Sequence, residues 1–370
     1  MSRAAGSDLH PRDGMLDGLR GSAVVAVVYV HFLFYSGHAR PGGGYVGVLV
    51  FFVLSGYLIT RVLWLRGSGD LRNDYRTFVR RRVRRLYPPL VVMVLVSAPL
   101  LVAFGPGDAH EAAVGSVAAL TQTTALWFGA NQPVFEPLVP TWSLTVEWVF
   151  YLLWPLALLR LRARGVGLDA SRRVALGAAA VLFVVSLPLP SQQFYLLPLA
   201  NVGVMLVGAG LALSHLGRSD DAPGGRDPQI SDLAFLLFLV IVLLPSAGAT
   251  GVWVYRFTQF PIAIIAAYLV IDQRPGTGGI ARRLLQSRPM RTIGITSYST
   301  YLWHLPVLWV VWWGLHDLPA NLRLLLALGI LVPVVWASYT FVEKPWLSGR
   351  RPEVRSTMAA AMAEAASLRA

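Results

Sequence analysis

Residues 174–217 read VALGAAAVLFVVSLPLPSQQFYLLPLANVGVMLVGAGLALSHLG and carry no charged side chain. A bilayer-spanning helix needs roughly 20 mostly apolar residues. This stretch is about twice that length, and Pro188-Leu189-Pro190-Ser191 near its middle has turn chemistry, so it reads as two spans. The same test applied outward finds charge-free windows at 21–39, 41–60, 86–107, 233–255, 257–271, 292–316 and 324–342. Residues 141–159 also qualify, with Glu147 inside them. The composition agrees. The chain is 55% hydrophobic and 14% charged, against about 25% charged residues in a soluble protein. A soluble enzyme, a disordered tail and a fibrous repeat are excluded. The expected fold class is all-α, a polytopic bundle of about ten transmembrane helices in a cell membrane, with the lipid bilayer as its first partner.

Residues 112–135 form an eleventh candidate, charge-free but studded with Thr121, Gln122, Thr123, Thr124, Asn131 and Gln132. Basic loops decide against it, because Lys and Arg accumulate on the cytoplasmic side. With ten spans and both termini cytoplasmic, 29 of the 32 basic residues fall on one side. An eleventh span would flip every later loop and erase that bias. Residues 108–140 are therefore expected to be a long outer loop. The start of the chain resembles a signal peptide, but His31 and Tyr29 lie in its apolar stretch and further spans follow, so it is expected to stay uncleaved. Residues 1–350 then form one membrane domain and 351–370 a short cytoplasmic tail. The net charge of +13 records orientation, and no nucleic-acid partner is expected. With no cysteine in the chain, disulfides and thiol catalysis are excluded.

Ionisable groups inside a membrane are costly and tend to be functional. Here they are His31, Glu147, Arg256 and His304, with Arg20 and an arginine cluster at the inner boundary. Arg20 and His31 are eleven residues apart, which places them on one helix face about 16 Å apart along the axis. That spacing suits a ligand with an anionic head and a reactive end deep in the bundle. It equally suits a snorkelling Arg and a His bonded to a neighbouring helix. In Arg80-Arg81-Arg82-Val83-Arg84-Arg85-Leu86-Tyr87-Pro88, most arginines read as a topology anchor. Arg82 and Arg85, at i and i+3, share a face and could grip a phosphate bidentately. Tyr87-Pro88-Pro89 is expected to fix the entry of the third span.

Ser143, Glu147 and Tyr151 stand at i, i+4, i+8 and form one polar stripe. Ser297, Tyr301 and His304 repeat the pattern at i, i+4, i+7. Two His and one Glu on inward-facing stripes are what a general base with orienting partners requires. His31 and Glu147 are therefore the catalytic candidates. Ser143, Tyr151, Tyr301 and His304 are candidates for pocket lining. Trp309, Trp312 and Trp313 read as an interfacial aromatic belt. No HExxH, GxSxG, Walker A or GxGxxG pattern occurs, and no metal ligand set or bound cofactor is expected. The competing reading is a transporter or flippase for a glycan or lipid-linked sugar, which also uses buried ionisable groups. Such folds tend to show two related halves, and none is visible here.

Six stretches taken together resemble the acyltransferase-3 family of integral membrane O-acyltransferases. They are Leu16-Asp17-Gly18-Leu19-Arg20-Gly21 followed by His31; residues 47–59, GVLVFFVLSGYLI; Arg82-Val83-Arg84-Arg85-Leu86-Tyr87-Pro88; Thr141-Trp142-Ser143-Leu144-Thr145-Val146-Glu147 with Phe150-Tyr151; Tyr298-Ser299-Thr300-Tyr301-Leu302-Trp303-His304; and Phe341-Val342-Glu343-Lys344-Pro345. Each is weak alone; the ordered set is specific. The resemblance implies acyl transfer from a donor, usually acyl-CoA, to a hydroxyl of a sugar or glycoside, a macrolide antibiotic among the acceptors. It assigns Arg20 and His31 to the functional motif of the first helix, Arg82 and Arg85 to that preceding the third, and Glu147 to the acidic position of the Trp-Ser-Leu motif. On that basis Arg20, Arg82 and Arg85 are the expected donor-binding residues.

Overall fold

The structure is a computed structural model that describes residues 14–36, 43–132, 135–217, 228–243, 251–271 and 279–347. The tail expected at 351–370 lies outside the described residues. Among those described, every regular element is a helix. In chain order they are α1 (Gly14–Ser36), α2 (Gly44–Arg66), α3 (Leu71–Phe104), α4 (Ala109–Leu120), α5 (Thr124–Gly129), α6 (Trp142–Ala163), α7 (Leu168–Ser186), α8 (Ser191–Leu196), α9 (Pro198–Leu216), α10 (Pro228–Leu243), α11 (Gly251–Ile271), α12 (Ile280–Leu285), α13 (Arg288–Ile295), α14 (Ser297–Gly314), α15 (Ala320–Ala337) and α16 (Lys344–Leu347). A 3-10 turn, Glu136–Thr141, leads into α6, and a π-helical turn, Ser338–Glu343, joins α15 to α16. Six helical stretches are long and apolar enough to cross a bilayer: Gly14–Tyr35, Gly44–Arg66, Leu71–Phe104, Glu136–Ala163, Ser191–Leu216 and Ala320–Leu347. The chain is a multi-pass membrane protein.

The charge-free window at 174–217 is built as the long helices α7 and α9, packed together and separated by a turn and the short α8. The candidate span at 112–135 is not one helix: α4, which begins at Ala109 and has 12 residues, and α5, with 6, are interrupted at Gln122, whose φ is 60°. Several boundaries differ from the sequence expectation. Helix α1 begins at Gly14, well before the apolar window, so Val25 marks its middle and His31 lies about 9 Å beyond it. Helix α3 begins at Leu71, where Asp70 caps it by accepting from Asn73 N–H at 3.0 Å. Tyr87-Pro88-Pro89 therefore lies within α3 and does not mark its entry. Each proline removes an N–H from the helical ladder, and beside this break the Tyr298 hydroxyl donates to Leu86 O at 2.7 Å. Arg256, expected within a span, lies inside α11 and donates to Leu189 O.

Two apolar clusters organise the bundle. One centres on α2, α6, α9 and α11 with much of α1; the other joins α3, α14 and α15. Lipid is as apolar as leucine, so close helix contact relies on small residues and van der Waals packing. Reciprocal glycines do this between α2 and α9, where a Cβ on Gly56 would overlap Met205 O and one on Gly208 would overlap Val53 O. Between α1 and α13, Gly21 and Gly294 stand in the same relation, against Met290 O and Asp17 O.

Candidate active site

A cavity of about 1240 Å³ opens between the two clusters, walled by α1, α2, α3, α6, α13, α14, the π turn and α16. Helix α2 gives its length. The wall residues Val48, Phe51, Phe52, Ser55, Leu58, Arg61, Val62, Leu65 and Arg66 run along one side of that helix, a rise of about 27 Å from first to last.

Helix α3 divides its arginines as the i, i+3 spacing requires. Arg82 and Arg85 line the cavity, while Arg80, Arg81 and Arg84 are exposed. Arg20 of α1 joins them, its Nη1 3.3 Å from Asp17 Oδ1. Among the described residues neither Arg82 nor Arg85 belongs to an ion pair, and the Arg85 Nε–H is buried without a partner. Arg82 is steadied by rings instead, its guanidinium carbon 5.1 Å from the Tyr151 centroid and 5.4 Å from that of Phe78. Three guanidiniums with open N–H donors around one cavity suit an anion with several phosphate oxygens.

The stripe Ser143, Glu147, Tyr151 faces the cavity along α6. Tyr151 donates to Glu147 Oε2 at 2.7 Å and Ser55 donates to Oε1 at 3.1 Å. Tyr301 of α14 donates to Pro140 O at 2.8 Å and stands 2.8 Å from Ser143 Oγ, so the two hydroxyls close the cavity end near Val48.

The two histidines are not in the cavity wall. His304 is fully buried behind Tyr301, with ring centroids 5.6 Å apart, and its Nδ1 donates to Tyr301 O at 2.6 Å. His31 is half-buried, its Nδ1 donates to Val27 O at 2.9 Å, and its ring centroid lies 5.0 Å from that of His304. Phe51, Tyr301, His304 and His31 thus form a row of rings leading from the cavity end to α1. Among the described residues no three His, Asp or Glu side chains converge as metal ligands.

The acyltransferase domain family, Acyl_transf_3, matches residues 14–343. The chain belongs to the acyltransferase-3 family. It is similar to YrhL of Bacillus subtilis, 30% identical over 351 residues that cover 89% of this chain and 54% of the relative. The peptidoglycan O-acetyltransferase OatA of Listeria monocytogenes is 28% identical over 351 residues, covering 89% and 55%. The O-acetyltransferase OatA of Staphylococcus aureus is 28% identical over 359 residues, covering 89% and 56%. The chain spans about half the length of these curated relatives. No solved structure matches it.

In this member of the acyltransferase-3 family three sequence expectations need correction. His304 does not line it, because the Tyr301 ring and hydroxyl stand in front. Glu147 orients neither histidine, since its hydrogen bonds go to Tyr151 and Ser55. Trp309 is no belt residue: it is buried, 5.8 Å from the Phe135 ring, although Trp313 is 40% exposed. Sequence reasoning also missed a residue. Glu343, 1% exposed, lines the cavity from the π turn and accepts from Ser299 Oγ at 2.7 Å, with Ser338 Oγ behind at 3.3 Å. Its signals were present: a carboxylate directly after an apolar window, inside the Phe-Val-Glu-Lys-Pro match. π turns concentrate at functional sites.

Proposed function

We propose that this acyltransferase moves an acyl group from acyl-CoA to a hydroxyl of a carbohydrate or glycoside. The observation that carries the reading is one cavity holding three guanidiniums along its walls and a hydroxyl pair at its end, with two histidines packed behind that pair. Arg20, Arg82 and Arg85 take the phosphates of the donor, and the Phe78 and Tyr151 rings keep Arg82 in place. The thioester reaches Ser143 and Tyr301. His31, its Nδ1–H held by Val27 O, presents an unprotonated Nε2 as general base. The acceptor oxygen attacks the acyl carbon as its proton passes to Nε2. The C–S bond breaks, and the imidazolium returns the proton to the coenzyme sulfur.

The ten-span arrangement with both termini cytoplasmic fits this reading. The arginine-lined part of the cavity then opens to cytoplasmic acyl-CoA, while His31, in the far half of α1, meets an acceptor from the outer side. The likeness to the O-acetyltransferases of Listeria and Staphylococcus supports an acetyl group, and the peptidoglycan O-acetyltransferase of Listeria supports a cell-wall glycan acceptor over a macrolide.

His31→Ala in membranes supplied with labelled acetyl-CoA tests the reading. General-base loss is worth roughly 100-fold or more, so transfer to the glycan fraction falls by at least that factor while the protein remains folded. Wild-type turnover by the folded variant overturns the assignment.

A further inference from the structure

His304 has one nitrogen too many for a structural role. Its ring is completely buried, its Nδ1 is satisfied by Tyr301 O, and its Nε2 has no hydrogen-bond partner. Leaving a buried polar atom unpaired costs about 1–3 kcal/mol, and such atoms in native structures call for an explanation.

The ring beside it supplies one. A backbone carbonyl only accepts, so Nδ1 of His31, facing Val27 O, and Nδ1 of His304, facing Tyr301 O, both carry their protons. In the neutral pair both Nε2 atoms are therefore bare lone pairs. Two lone pairs cannot bond each other, whereas one proton placed on either nitrogen can join them. The centroids are 5.0 Å apart with the planes at 54°. Imidazoles at that spacing come within hydrogen-bond reach when their nitrogen edges face. Neither ring is hydrogen-bonded to a carboxylate among the described residues. The counter-group that stabilises an imidazolium in a Ser-His-Asp site is missing here.

We propose that His304 is a positioning residue for acyl transfer, its Nε2 accepting the hydrogen bond of the His31 imidazolium while the acceptor proton resides there. The proposal rests on the reading of His31 as base. The proton leaves the acceptor O–H for His31 Nε2 as the C–O bond forms; the new Nε2–H then turns to His304 Nε2 while the tetrahedral adduct lasts, and passes to the coenzyme sulfur as the C–S bond breaks. His304 gains and loses no proton. Its part is to lower the energy of a buried cation that would otherwise lack a partner. Burial behind Tyr301 keeps water from competing for the same bond.

The test uses the full chain purified in detergent, with acetyl-CoA as donor and two nucleophiles. One is an N-acetylglucosamine oligosaccharide, whose hydroxyl needs a base; the other is hydroxylamine, which does not. His304→Gln keeps an amide donor for Tyr301 O and an oxygen acceptor in place of Nε2, whereas His304→Leu keeps neither. Transfer to the oligosaccharide by the Leu variant should fall roughly 100-fold in kcat, with the KM for acetyl-CoA and the hydroxylamine reaction within about twofold of wild type. The Gln variant should recover to within about tenfold. If the Leu variant does not fold, His304→Asn, one methylene shorter, takes its place and should be inactive beside an active Gln variant. An unchanged kcat in the Leu variant overturns the proposal alone. So do equal losses with both nucleophiles, or a Gln variant as inactive as Leu. Wild-type protein that transfers nothing from acetyl-CoA overturns the underlying reading and this proposal together.

Discussion

Arg81 and Arg82 are neighbours in sequence and opposites in setting. One helical step of 100° turns Arg81 outward to an exposed position and Arg82 into the cavity, against the Tyr151 and Phe78 rings. The i, i+3 spacing of Arg82 and Arg85 made this division legible beforehand, because face sharing on a helix is a local property. Arg82→Ala should raise the KM for acetyl-CoA at least tenfold and lower kcat less, since a phosphate contact made equally in ground and transition states is uniform binding. Arg81→Ala should leave both within about twofold, as expected for a surface charge. Steady-state kinetics on the two variants check this, and equal effects would make both arginines anchors. For Glu343 the sequence carried a signal, a carboxylate directly after an apolar window, but its place in the wall depends on a π turn that no periodicity announces.

Helices in this bundle are held by shape more than by polar bonds. The approach of α2 to α9 rests on Gly56 and Gly208, each facing a backbone carbonyl of the other helix. Gly56→Ala should therefore drive Met205 away and lower the melting temperature in detergent by several degrees. Gly177→Ala, in α7 where an added Cβ meets nothing within 4 Å, should be neutral or stabilising by up to about 1 kcal/mol through helix propensity. Thermal unfolding of both variants separates the two effects, and a neutral Gly56→Ala would show that the helices can part without cost. Hydropathy located the helices but not all their ends. At α1 and α3 the helix continues through polar residues, Asp17 and the arginines, that an apolar window excludes. It does so because the backbone ladder closes within the helix whatever the side chains, and Asp17 is paired with Arg20 of the same helix.

Across the whole molecule, orientation is a matter of charge, and the absence of cysteine makes it directly measurable. Glu111, exposed on α4, lies in the segment expected outside; Gly167, exposed, with φ −72° and nothing within 4 Å of an added Cβ, lies in a basic loop expected inside. Glu111→Cys should react with a membrane-impermeant maleimide in intact cells, and Gly167→Cys only after permeabilisation. The reverse pattern would invert the topology and put the arginine-lined cavity on the wrong side for acyl-CoA.

The sequence by itself determined an all-helical membrane bundle and the polar stripes on its individual helices. Hydropathy runs and 3.6-residue periodicity are local, and each helix satisfies its own backbone hydrogen bonds. Only the tertiary structure decided which stripes meet. Arg20 joins Arg82 and Arg85 around one cavity, and Glu147 goes to Tyr151 and Ser55. His31, near the start of the chain, meets His304, near its end, behind Tyr301. The same holds for the close approach of α2 to α9 and of α1 to α13 through their glycines: each is a property of two packed surfaces, carried by neither sequence segment alone.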